Sequence, residues 1–381
     1  MPRKTTKEPC LIILATGGTG RHLYPAEAVC AHLQKMGMVM KLYTDHRPIP
    51  NDGLLASLQT RRFLSAGITG KGLFTKIKAA ILLGLGSMQA VFAMARDRPN
   101  LVIGFGGYSS IPTILAAKLW RVPYIIHEQN AVLGRANRLV ASGAQALALS
   151  FTRTDKLSAA QRIKSQWVGN PVRQAITALT HSSYQLPQKG QKLSILITGG
   201  SQGASIYTKI LPDALTLLTD DSRSMLRLVQ QARLEDIETL SAAYQALNLD
   251  FEVKGFFDDM PKRLEQAHLV IARAGASTIA ELTLAGKPAI LVPYPFATDD
   301  HQTANAVRIS EIAGGWMIPQ QDFTPEWLAA RLQNFIDSEE ILPLAAKAVR
   351  KHAMPDAALK LAAMAKSVIL SSGNNMNDHS I

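Results

Sequence analysis

One short stretch of sequence occurs twice, and it constrains the fold more than any other feature of this chain. Residues 11–18 and residues 193–200 both read as an apolar strand followed by Thr-Gly-Gly. Glycines directly after a buried strand are typical of the strand-to-helix turn that opens a nucleotide-binding α/β unit. Two such openings in a chain of 381 residues predict two Rossmann-like domains, each built on a parallel sheet.

Further apolar runs extend this pattern along the chain. The predicted strands are Leu11–Ala15, Val39–Tyr43, Leu101–Gly104, Tyr124–His127, Ser194–Thr198, Leu226–Val229, Leu269–Ala272 and Ala289–Pro293. Longer stretches with helical periodicity separate them. Continuous apolar strands that alternate with helices are typical of parallel sheets covered on both faces. The fold class is therefore α/β.

A turn signal and a change in composition place the domain boundary. The turn Gly169-Asn170-Pro171 precedes a polar stretch at 177–192 that has no apolar periodicity. We expect an N-terminal domain over 1–172 and a C-terminal domain over 173–354. The polar residues 371–381 predict a flexible tail.

Charge and cysteine content narrow the partners and the compartment. The net charge of +12 favours anionic partners such as phosphorylated metabolites, a membrane surface or nucleic acid. No recognised nucleic-acid module accompanies it, so we expect no nucleic-acid partner. Cys10 and Cys30 form no disulfide framework, and the apolar run 11–15 is too short for a signal peptide. The longest unbroken apolar run, 79–86, is also too short to span a bilayer, so the sequence predicts a cytoplasmic protein with at most peripheral membrane contact.

The first glycine turn, 17–20, offers backbone N–H groups to an anion at the start of a helix. It is not a dinucleotide fingerprint, because Leu23 stands where the third glycine belongs, and it is not a P-loop, because no Lys-Ser/Thr pair follows. A tight turn without a ligand explains this motif equally well. His22 follows it, and a lone histidine is more often structural than catalytic.

A second polar cluster follows two other predicted strands. Residues 104–110 contain three glycines before Tyr108, and His127-Glu128-Gln129-Asn130 ends the strand at 124–127. Carboxyl ends of parallel strands form the crevice in which α/β folds bind ligands. We favour a functional site here over a loop that only stabilises itself.

Two clusters mark the second half of the chain. Residues 273–281 run from a strand into a helix whose N-terminus suits a phosphate, and Glu281 is placed to accept hydrogen bonds from ribose hydroxyls. The alternative is that Thr278 and Glu281 form a capping box. In the loop 293–305, His301 and Gln302 are candidates for binding hydroxyls. Asp299, Asp300 and His301 are adjacent and rarely share one metal, so no metal site is expected.

Taken together, these motifs resemble the MurG family of peptidoglycan glycosyltransferases, which belongs to glycosyltransferase family 28. The carriers, in chain order, are Gly17–Gly20 with His22, Gly106–Tyr108, His127–Asn130, Val168–Arg173, Gly199–Ala204, Arg273–Thr278, and Asp300–Gln302 with Asn305. The resemblance covers about residues 10–365. One departure is Arg21, which stands where the family usually has glycine and puts the details of acceptor binding in doubt.

The resemblance implies a GT-B fold, in which two Rossmann-like domains face each other across a deep cleft, and a C-terminal helix at about 355–370 that returns to the first domain. It implies transfer of N-acetylglucosamine from UDP-N-acetylglucosamine to lipid I, giving lipid II, without a metal or cofactor. The residues expected to bind the UDP-sugar are Thr19, Gly20, Asn130, Arg173, Ser201, Phe257, Ser277, Thr278, Glu281, His301 and Gln302. Those expected to bind the acceptor are Gly18, Arg21, Gly106, Gly107 and Tyr108.

The implied reaction is an inverting displacement, which needs a base for the acceptor hydroxyl and stabilisation of the departing diphosphate. His22 is the first choice for the base and Glu128 its competitor. A glycolipid synthase that uses diacylglycerol and a UDP-N-acetylglucosamine 2-epimerase are related alternatives. The second glycine cluster and residues 127–130 favour the lipid I acceptor.

The segment 71–88 is the candidate membrane contact, because it combines a basic start with an apolar stripe. Leu73, Phe74, Lys76 and Lys78 are expected to dock on an anionic inner-leaflet surface. The alternative is that the stripe, which follows helical spacing, belongs to the core. The resemblance implies a peripheral protein on the cytoplasmic face of the bacterial inner membrane, with cell-wall synthesis proteins as further partners.

Overall fold

The computed structural model describes residues 10–17, 20–50, 53–67, 72–188, 190–199 and 204–377. The chain divides into two compact units. Unit 1 consists of Met1–Arg173 together with Asp356–Ile381, and unit 2 consists of Gln174–Pro355.

Unit 1 is built on a parallel sheet of seven strands in the order β3-β2-β1-β4-β5-β6-β7. The strands are β1 (Leu11–Ala15), β2 (Val39–Thr44), β3 (Thr60–Arg62), β4 (Leu101–Gly104), β5 (Tyr124–Glu128), β6 (Ala146–Leu149) and β7 (Ser165–Trp167). The helices of this unit are α1 (Gly20–Lys35), α2 (Leu73–Asp97), α3 (Ile111–Leu119), α4 (Arg135–Val140), α5 (Ala159–Ile163) and, from the end of the chain, α15 (Ala357–Asn377).

Alternate residues of β1 supply the cores on the two faces of this sheet. Ile12 and Leu14 pack on one face with residues of α1 and α15, and Ile13 packs on the other face with residues of α2 and α3. Ile12–Ala15 of β1 are therefore buried on both faces of the sheet, which explains the unbroken apolar run. The last helix continues to Asn377, beyond the point where the sequence predicts a flexible tail.

Unit 2 repeats this topology with six parallel strands in the order β10-β9-β8-β11-β12-β13. The strands are β8 (Leu193–Thr198), β9 (Leu226–Gln231), β10 (Asp250–Lys254), β11 (Leu269–Ala272), β12 (Ala289–Leu291) and β13 (Gly315–Met317). The helices are α6 (Gln174–Thr177), α7 (Ser205–Thr216), α8 (Asp220–Ser224), α9 (Ile237–Ala246), α10 (Met260–Gln266), α11 (Ala276–Ala285), α12 (His301–Glu311), α13 (Pro325–Asp337) and α14 (Ile341–Arg350).

The repeated sequence occupies the same position in the two sheets. β1 lies between β2 and β4, and β8 lies between β9 and β11. These are the places where the strand order reverses, and the carboxyl edge beside such a reversal is where doubly wound sheets bind ligands. The prediction of two Rossmann-like domains with parallel sheets is confirmed.

One helix among the described residues has the length and composition of a membrane span, the stretch Phe74–Asp97 of α2. Only 22% of its most apolar window is buried. This helix was not predicted as a possible span, because the longest unbroken apolar run in the sequence covers only 79–86. However, α2 connects β3 to β4 of one sheet, and its residues Ala90, Ala93 and Met94 pack in the core. It therefore lies along the sheet as a crossover helix.

A buried ion-pair cluster fixes the end of α2 to the sheet. Asp97 accepts hydrogen bonds from Lys41 at 2.9 Å, from the Tyr43 hydroxyl at 2.8 Å and from both arms of Arg61. The Arg61 guanidinium holds the pKa of Asp97 well below its ordinary range, in spite of burial. The carboxylate thus stays charged and joins α2 to β2 and β3.

Candidate active site

The carboxyl edge of the unit 1 sheet brings the first two glycine motifs together. β1, β4 and β5 end at Ala15, Gly104 and Glu128. Gly18 and Thr19 lie outside the described residues, and so does the side chain of Arg21. Gly20 is the first residue of α1.

The His22 side chain contacts the second glycine motif, residues 104–110. Its Nδ1 is 2.9 Å from the carbonyl oxygen of Phe105, so this nitrogen carries the proton and donates to that carbonyl. The tautomer follows from the acceptor on that side. In the neutral ring the lone pair therefore belongs to Nε2. This arrangement suits a base whose orientation is set by the backbone.

Two glycines make room for the His22 ring. Gly106 and Gly107 have φ values of +87° and +77°, which disfavour other residues. A Cβ on Gly107 would come within 3.3 Å of His22 Nε2. Tyr108 follows and packs against a small cluster formed by Leu83, Ile111 and Ala136. The glycines therefore leave space beside Nε2.

The Glu128 carboxylate is hydrogen-bonded by residues that follow it in the chain. The carboxylate is buried and accepts four hydrogen bonds. The donors are the backbone N–H of Asn130 (3.0 Å), Asn130 Nδ2 (3.3 Å), the backbone N–H of Gly134 (2.9 Å) and Asn137 Nδ2 (2.6 Å). A carboxylate has about four acceptor positions. This geometry favours a structural role for Glu128 and fixes Asn130 beside it.

Uncharged groups line the carboxyl ends of β8, β9 and β10 in unit 2. Thr198 donates its hydroxyl to Gln231 Oε1 at 3.0 Å, and Gln231 Nε2 donates to the Gly255 carbonyl at 3.1 Å. This chain of bonds crosses the ends of β8, β9 and β10. Phe257, expected to contact a uracil, follows Gly255 and is buried under the Arg263 guanidinium. Ser201 lies outside the described residues.

Gln231 was not predicted from the sequence as a residue of this edge. Its signal is a Gln-Gln pair at 230–231, directly after the apolar residues of β9. Both glutamines are buried. Because buried amides need partners, a glutamine at a strand end indicates a network of hydrogen bonds at that edge.

Helix α11 corrects one alternative from the sequence. A capping box needs Thr278 at the N-cap, but the helix begins at Ala276 and its N-cap is Gly275. The capping-box reading of Thr278 and Glu281 is therefore wrong. The Ser277 hydroxyl is buried and has no hydrogen-bond partner among the described residues. This hydroxyl lies in the first turn of α11, where the backbone N–H groups of a helix are also open to an acceptor.

The loop 293–305 is fixed by hydrogen bonds within itself and to the residues that follow β11. Arg273 donates to the carbonyls of Val292 and Pro293 and to Gln320 Oε1, and the buried Asn305 donates to the Ala274 carbonyl at 3.0 Å. Gln302 accepts from the Tyr294 N–H at 3.0 Å, and His301 Nδ1 donates to the Thr298 carbonyl at 2.7 Å. These bonds hold the loop in its conformation. They use neither Nε2 of His301 nor Nε2 of Gln302.

Arg173, expected to contact the UDP-sugar, is the last residue of the first segment of unit 1. Its guanidinium carbon lies 4.9 Å above the ring of Tyr24 on α1. Among the described residues no group of three or more His, Cys, Asp or Glu side chains is arranged to hold a metal ion.

The first half of α2 presents an exposed apolar face. We use this name for Phe74, Ile77, Ile81, Leu85, Met88 and Phe92, all of which are exposed. Phe74 alone is 83% exposed. Lys76 and Lys78 are exposed on the first turns of the same helix, and Trp120, also exposed, donates its indole N–H to the Val91 carbonyl at 3.1 Å. The alternative that this stripe is ordinary core is wrong.

Comparisons with known protein families match both units. Residues 12–149 match the glycosyltransferase family 28 N-terminal domain, and residues 194–361 match the glycosyltransferase family 28 C-terminal domain. A relative from Rhodospirillum rubrum is 46% identical over 354 residues, which cover 93% of this chain and 91% of the relative. A relative from Paramagnetospirillum magneticum is 46% identical over 365 residues, covering 96% and 98%. Both are named UDP-N-acetylglucosamine–N-acetylmuramyl-(pentapeptide) pyrophosphoryl-undecaprenol N-acetylglucosamine transferase.

Solved structures agree. The crystal structure of Acinetobacter baumannii MurG is similar with a TM-score of 0.76 and 29% identity, covering 94% of this chain and 100% of that one. A UDP-N-acetylglucosamine 2-epimerase from Listeria monocytogenes has a TM-score of 0.65 at 14% identity over 94% and 96% of the two chains, which shows a shared fold alone. The expectation of two parallel-sheet domains of the GT-B class is confirmed. This chain belongs to glycosyltransferase family 28.

Proposed function

We propose that this chain transfers N-acetylglucosamine from UDP-N-acetylglucosamine to the muramoyl sugar of lipid I, the undecaprenyl-diphosphate-linked precursor, and so forms lipid II for peptidoglycan synthesis. The observation that carries this is the 46% identity to transferases of that name over 93% of the chain. The two carboxyl edges are compatible with it, since one presents a histidine and the other a helix N-terminus and hydroxyls.

The reaction is an inverting displacement at the anomeric carbon. The acceptor hydroxyl attacks this carbon as the bond to the UDP oxygen breaks, and the hydroxyl proton passes to a base. We assign the base to His22 Nε2, because Nδ1 is already engaged with the Phe105 carbonyl. We place Glu128 second, because four hydrogen bonds surround its carboxylate.

We assign the UDP-sugar to the unit 2 edge. The diphosphate is proposed to lie at the N-terminus of α11, where the buried Ser277 hydroxyl and Thr278 follow Gly275. Glu281 is assigned to the ribose and the backbone of Phe257 to the uracil. His301 and Gln302 are assigned to the sugar, together with Asn130, and Arg173 to the diphosphate. Gly20, with Thr19 and Ser201 outside the described residues, completes this proposed set.

The acceptor is assigned to the glycine motifs of unit 1. Gly106 and Gly107 lie beside His22, and Tyr108 directly follows them. Gly18 and Arg21 belong to the same proposal. A helix N-terminus does for the leaving group what a metal does in other transferases, so activity is expected to persist in EDTA. Loss of activity with EDTA and its return with magnesium or manganese would contradict this.

The exposed apolar face is proposed to dock on the cytoplasmic surface of the inner membrane. The named relatives act on a substrate attached to undecaprenol, a lipid. Exposed aromatic and aliphatic side chains beside Lys76 and Lys78 fit an anionic bilayer surface. Each lysine near such a surface contributes about 1 kcal/mol, so binding should be weak and reversible.

Vesicle binding tests this docking. The wild-type protein should sediment with anionic vesicles at low salt and less with neutral ones. The variant Phe74→Ala, Lys76→Glu, Lys78→Glu should lose most of this binding. A matched control is Phe296→Ala, Lys209→Glu, Lys347→Glu, which makes the same changes at exposed positions of unit 2. Equal binding by both variants would place the contact elsewhere.

Activity itself is tested by incubating the full chain with UDP-N-acetylglucosamine and a short-chain lipid I analogue. The expected product is the disaccharide-linked lipid, detected by mass spectrometry. Release of free UDP without this product, or transfer to diacylglycerol instead, would overturn the proposed acceptor.

A further inference from the structure

An arginine at the carboxyl edge of unit 1 is fixed in place and is used by none of the assignments above. Arg47 follows β2 and is hydrogen-bonded to Asp45 through its backbone N–H at 3.0 Å and through Nε at 2.8 Å. Its Nη2 also bonds to Asp45, and it donates to Ser109 Oγ at 2.8 Å. Ser109 in turn donates to Asp45 Oδ2 at 2.7 Å. The three side chains therefore form a closed cluster.

The cluster is anchored in the interior but ends at the surface. The Asp45 side chain is 7% exposed, whereas the Arg47 side chain is 49% exposed. Burial alone would raise the pKa of Asp45, but the hydrogen bonds from Arg47 and Ser109 outweigh it and lower the pKa below its ordinary value. Asp45 is therefore a charged anchor. Among the described residues, Arg47 Nη1 makes no hydrogen bond, so the guanidinium keeps donors for a further partner.

The position of the guanidinium links it to the two glycine motifs. A Cβ on Gly17 would lie 2.7 Å from Arg47 Nη2 and closer still to Ser109 Oγ. Ser109 itself directly follows Tyr108 in the second motif. Arg47 thus lies against the start of one glycine turn and is bonded to the end of the other. A rigid guanidinium with open donors at this place suits a phosphate, which it binds more specifically than an ammonium does.

We propose that Arg47 binds the diphosphate of the lipid-linked acceptor, with Asp45 and Ser109 as its positioning residues. This rests on the proposed function. The acceptor is chosen because Arg47 belongs to unit 1 and lies against its glycine motifs. The alternative is that Arg47 only braces the loop after β2.

The test compares steady-state kinetics of Arg47→Gln, Arg47→Lys and a control, with a short-chain lipid I analogue in detergent. The control is Arg62→Gln, because exposed Arg62 braces the same loop by donating to the carbonyls of Asp45 (3.2 Å) and Arg47 (2.8 Å). Arg47→Gln should raise the acceptor KM by about 10- to 100-fold, as expected for a lost hydrogen bond to a charged group. The KM for UDP-N-acetylglucosamine should stay near wild type. The melting temperature should fall in Arg47→Gln, because the buried Asp45 loses its cationic partner, and less in Arg47→Lys, which keeps the charge. Arg47→Lys should be intermediate and Arg62→Gln close to wild type.

Inorganic pyrophosphate identifies the group that is bound. At saturating UDP-N-acetylglucosamine it should compete with the acceptor in the wild type and inhibit Arg47→Gln more weakly. Equal effects of Arg47→Gln and Arg62→Gln on the acceptor KM would show that Arg47 only stabilises the loop after β2, and would overturn the proposal. A raised acceptor KM with unchanged pyrophosphate inhibition would also overturn it, since the contact would then be to another anionic group. A wild-type protein that transfers nothing to the analogue would instead contradict the proposed function.

Discussion

The two units share one strand order, yet the side chains at their carboxyl edges differ in kind. Unit 1 presents ionisable groups there, namely His22, Glu128 and the Asp45–Arg47 pair. Unit 2 presents amides and hydroxyls at the ends of β8 and β9 and at the N-terminus of α11, namely Thr198, Gln231 and Ser277. The charged Arg273 after β11 is bonded to two carbonyl groups and to Gln320. In doubly wound sheets the topology sets the edge at which ligands bind, and we infer that the residues at the strand ends set the chemistry of each unit.

This difference fits a division of labour. Removing a proton from a hydroxyl needs a group that changes its charge, whereas holding a diphosphate needs fixed dipoles that do not. If the division is real, substitutions in unit 1 should lower kcat or weaken the acceptor. Substitutions in unit 2 should act on the KM for UDP-N-acetylglucosamine.

The largest effect is expected for His22→Ala. Loss of a general base typically lowers the rate by about 10²- to 10⁴-fold. We expect kcat at saturating substrates to fall by this amount while the KM for UDP-N-acetylglucosamine changes little. A near-normal kcat would exclude His22 as the base.

Glu128→Gln tests whether Glu128 organises its loop or acts as the base in place of His22. An amide in this place would direct an NH₂ group at donors such as the Gly134 N–H or Asn137 Nδ2. If Glu128 organises its loop, the variant should lose melting temperature and activity together. An intact melting temperature with kcat lowered as much as in His22→Ala would make Glu128 the base.

A smaller effect is expected for Glu281→Ala in unit 2. Glu281 lies in the second turn of α11 and does not cap it, and alanine is a good helix former. We therefore expect no loss of a helix cap, and a KM for UDP-N-acetylglucosamine raised about tenfold or more, the cost of a lost charged hydrogen bond. Glu281→Gln, which keeps one acceptor, should recover part of this. If Glu281→Ala lowers only the melting temperature, the ribose assignment fails.

Central strands were predictable from the sequence, and edge strands were not. β1, β4 and β11 have the predicted bounds, because strands buried on both faces must be apolar throughout. β3 (Thr-Arg-Arg) and β7 (Ser-Gln-Trp) were missed, because edge strands are short and polar. β6 (Ala-Leu-Ala-Leu) was also missed, since alanine and leucine favour helices.

At the site, motifs that follow one another along the chain could be predicted, and contacts across the sheet could not. His22 and Gly107 are far apart in sequence, and only strand order brings them together. Arg47 belongs to no sequence motif, and only the fold places it beside Gly17 and Ser109. One of the hydrogen bonds to the Glu128 carboxylate comes from Asn137, and no rule of sequence spacing connects these two residues.

The last prediction concerns the pH dependence of the free energy of unfolding, and it has the smallest effect at neutral pH. It involves two buried histidines, one in each unit. Burial lowers the pKa of both His127 and His268 to about 4. Nδ1 of His268 accepts the Ser194 N–H at 2.9 Å, so protonation would remove this bond beside the positive charge of Lys287. His127 donates Nε2–H to the Gly169 carbonyl at 3.2 Å, and its buried Nδ1 has no partner among the described residues.

Both folded-state pKa values lie below the ordinary value of 6.5. Between pH 6.5 and 4 the unfolded chain therefore binds more protons than the folded chain, and the free energy of unfolding falls as the pH falls. One pKa unit corresponds to about 1.4 kcal/mol, so each site should contribute about 1 kcal/mol or more to this loss. Urea unfolding at pH 7 and pH 5 measures it. His268→Asn keeps an acceptor for Ser194, and His127→Gln keeps a donor for Gly169, but neither residue titrates. Each variant should unfold with a weaker dependence on pH than the wild type, and an unchanged dependence in either one would show that its histidine is protonated at little cost in the folded state.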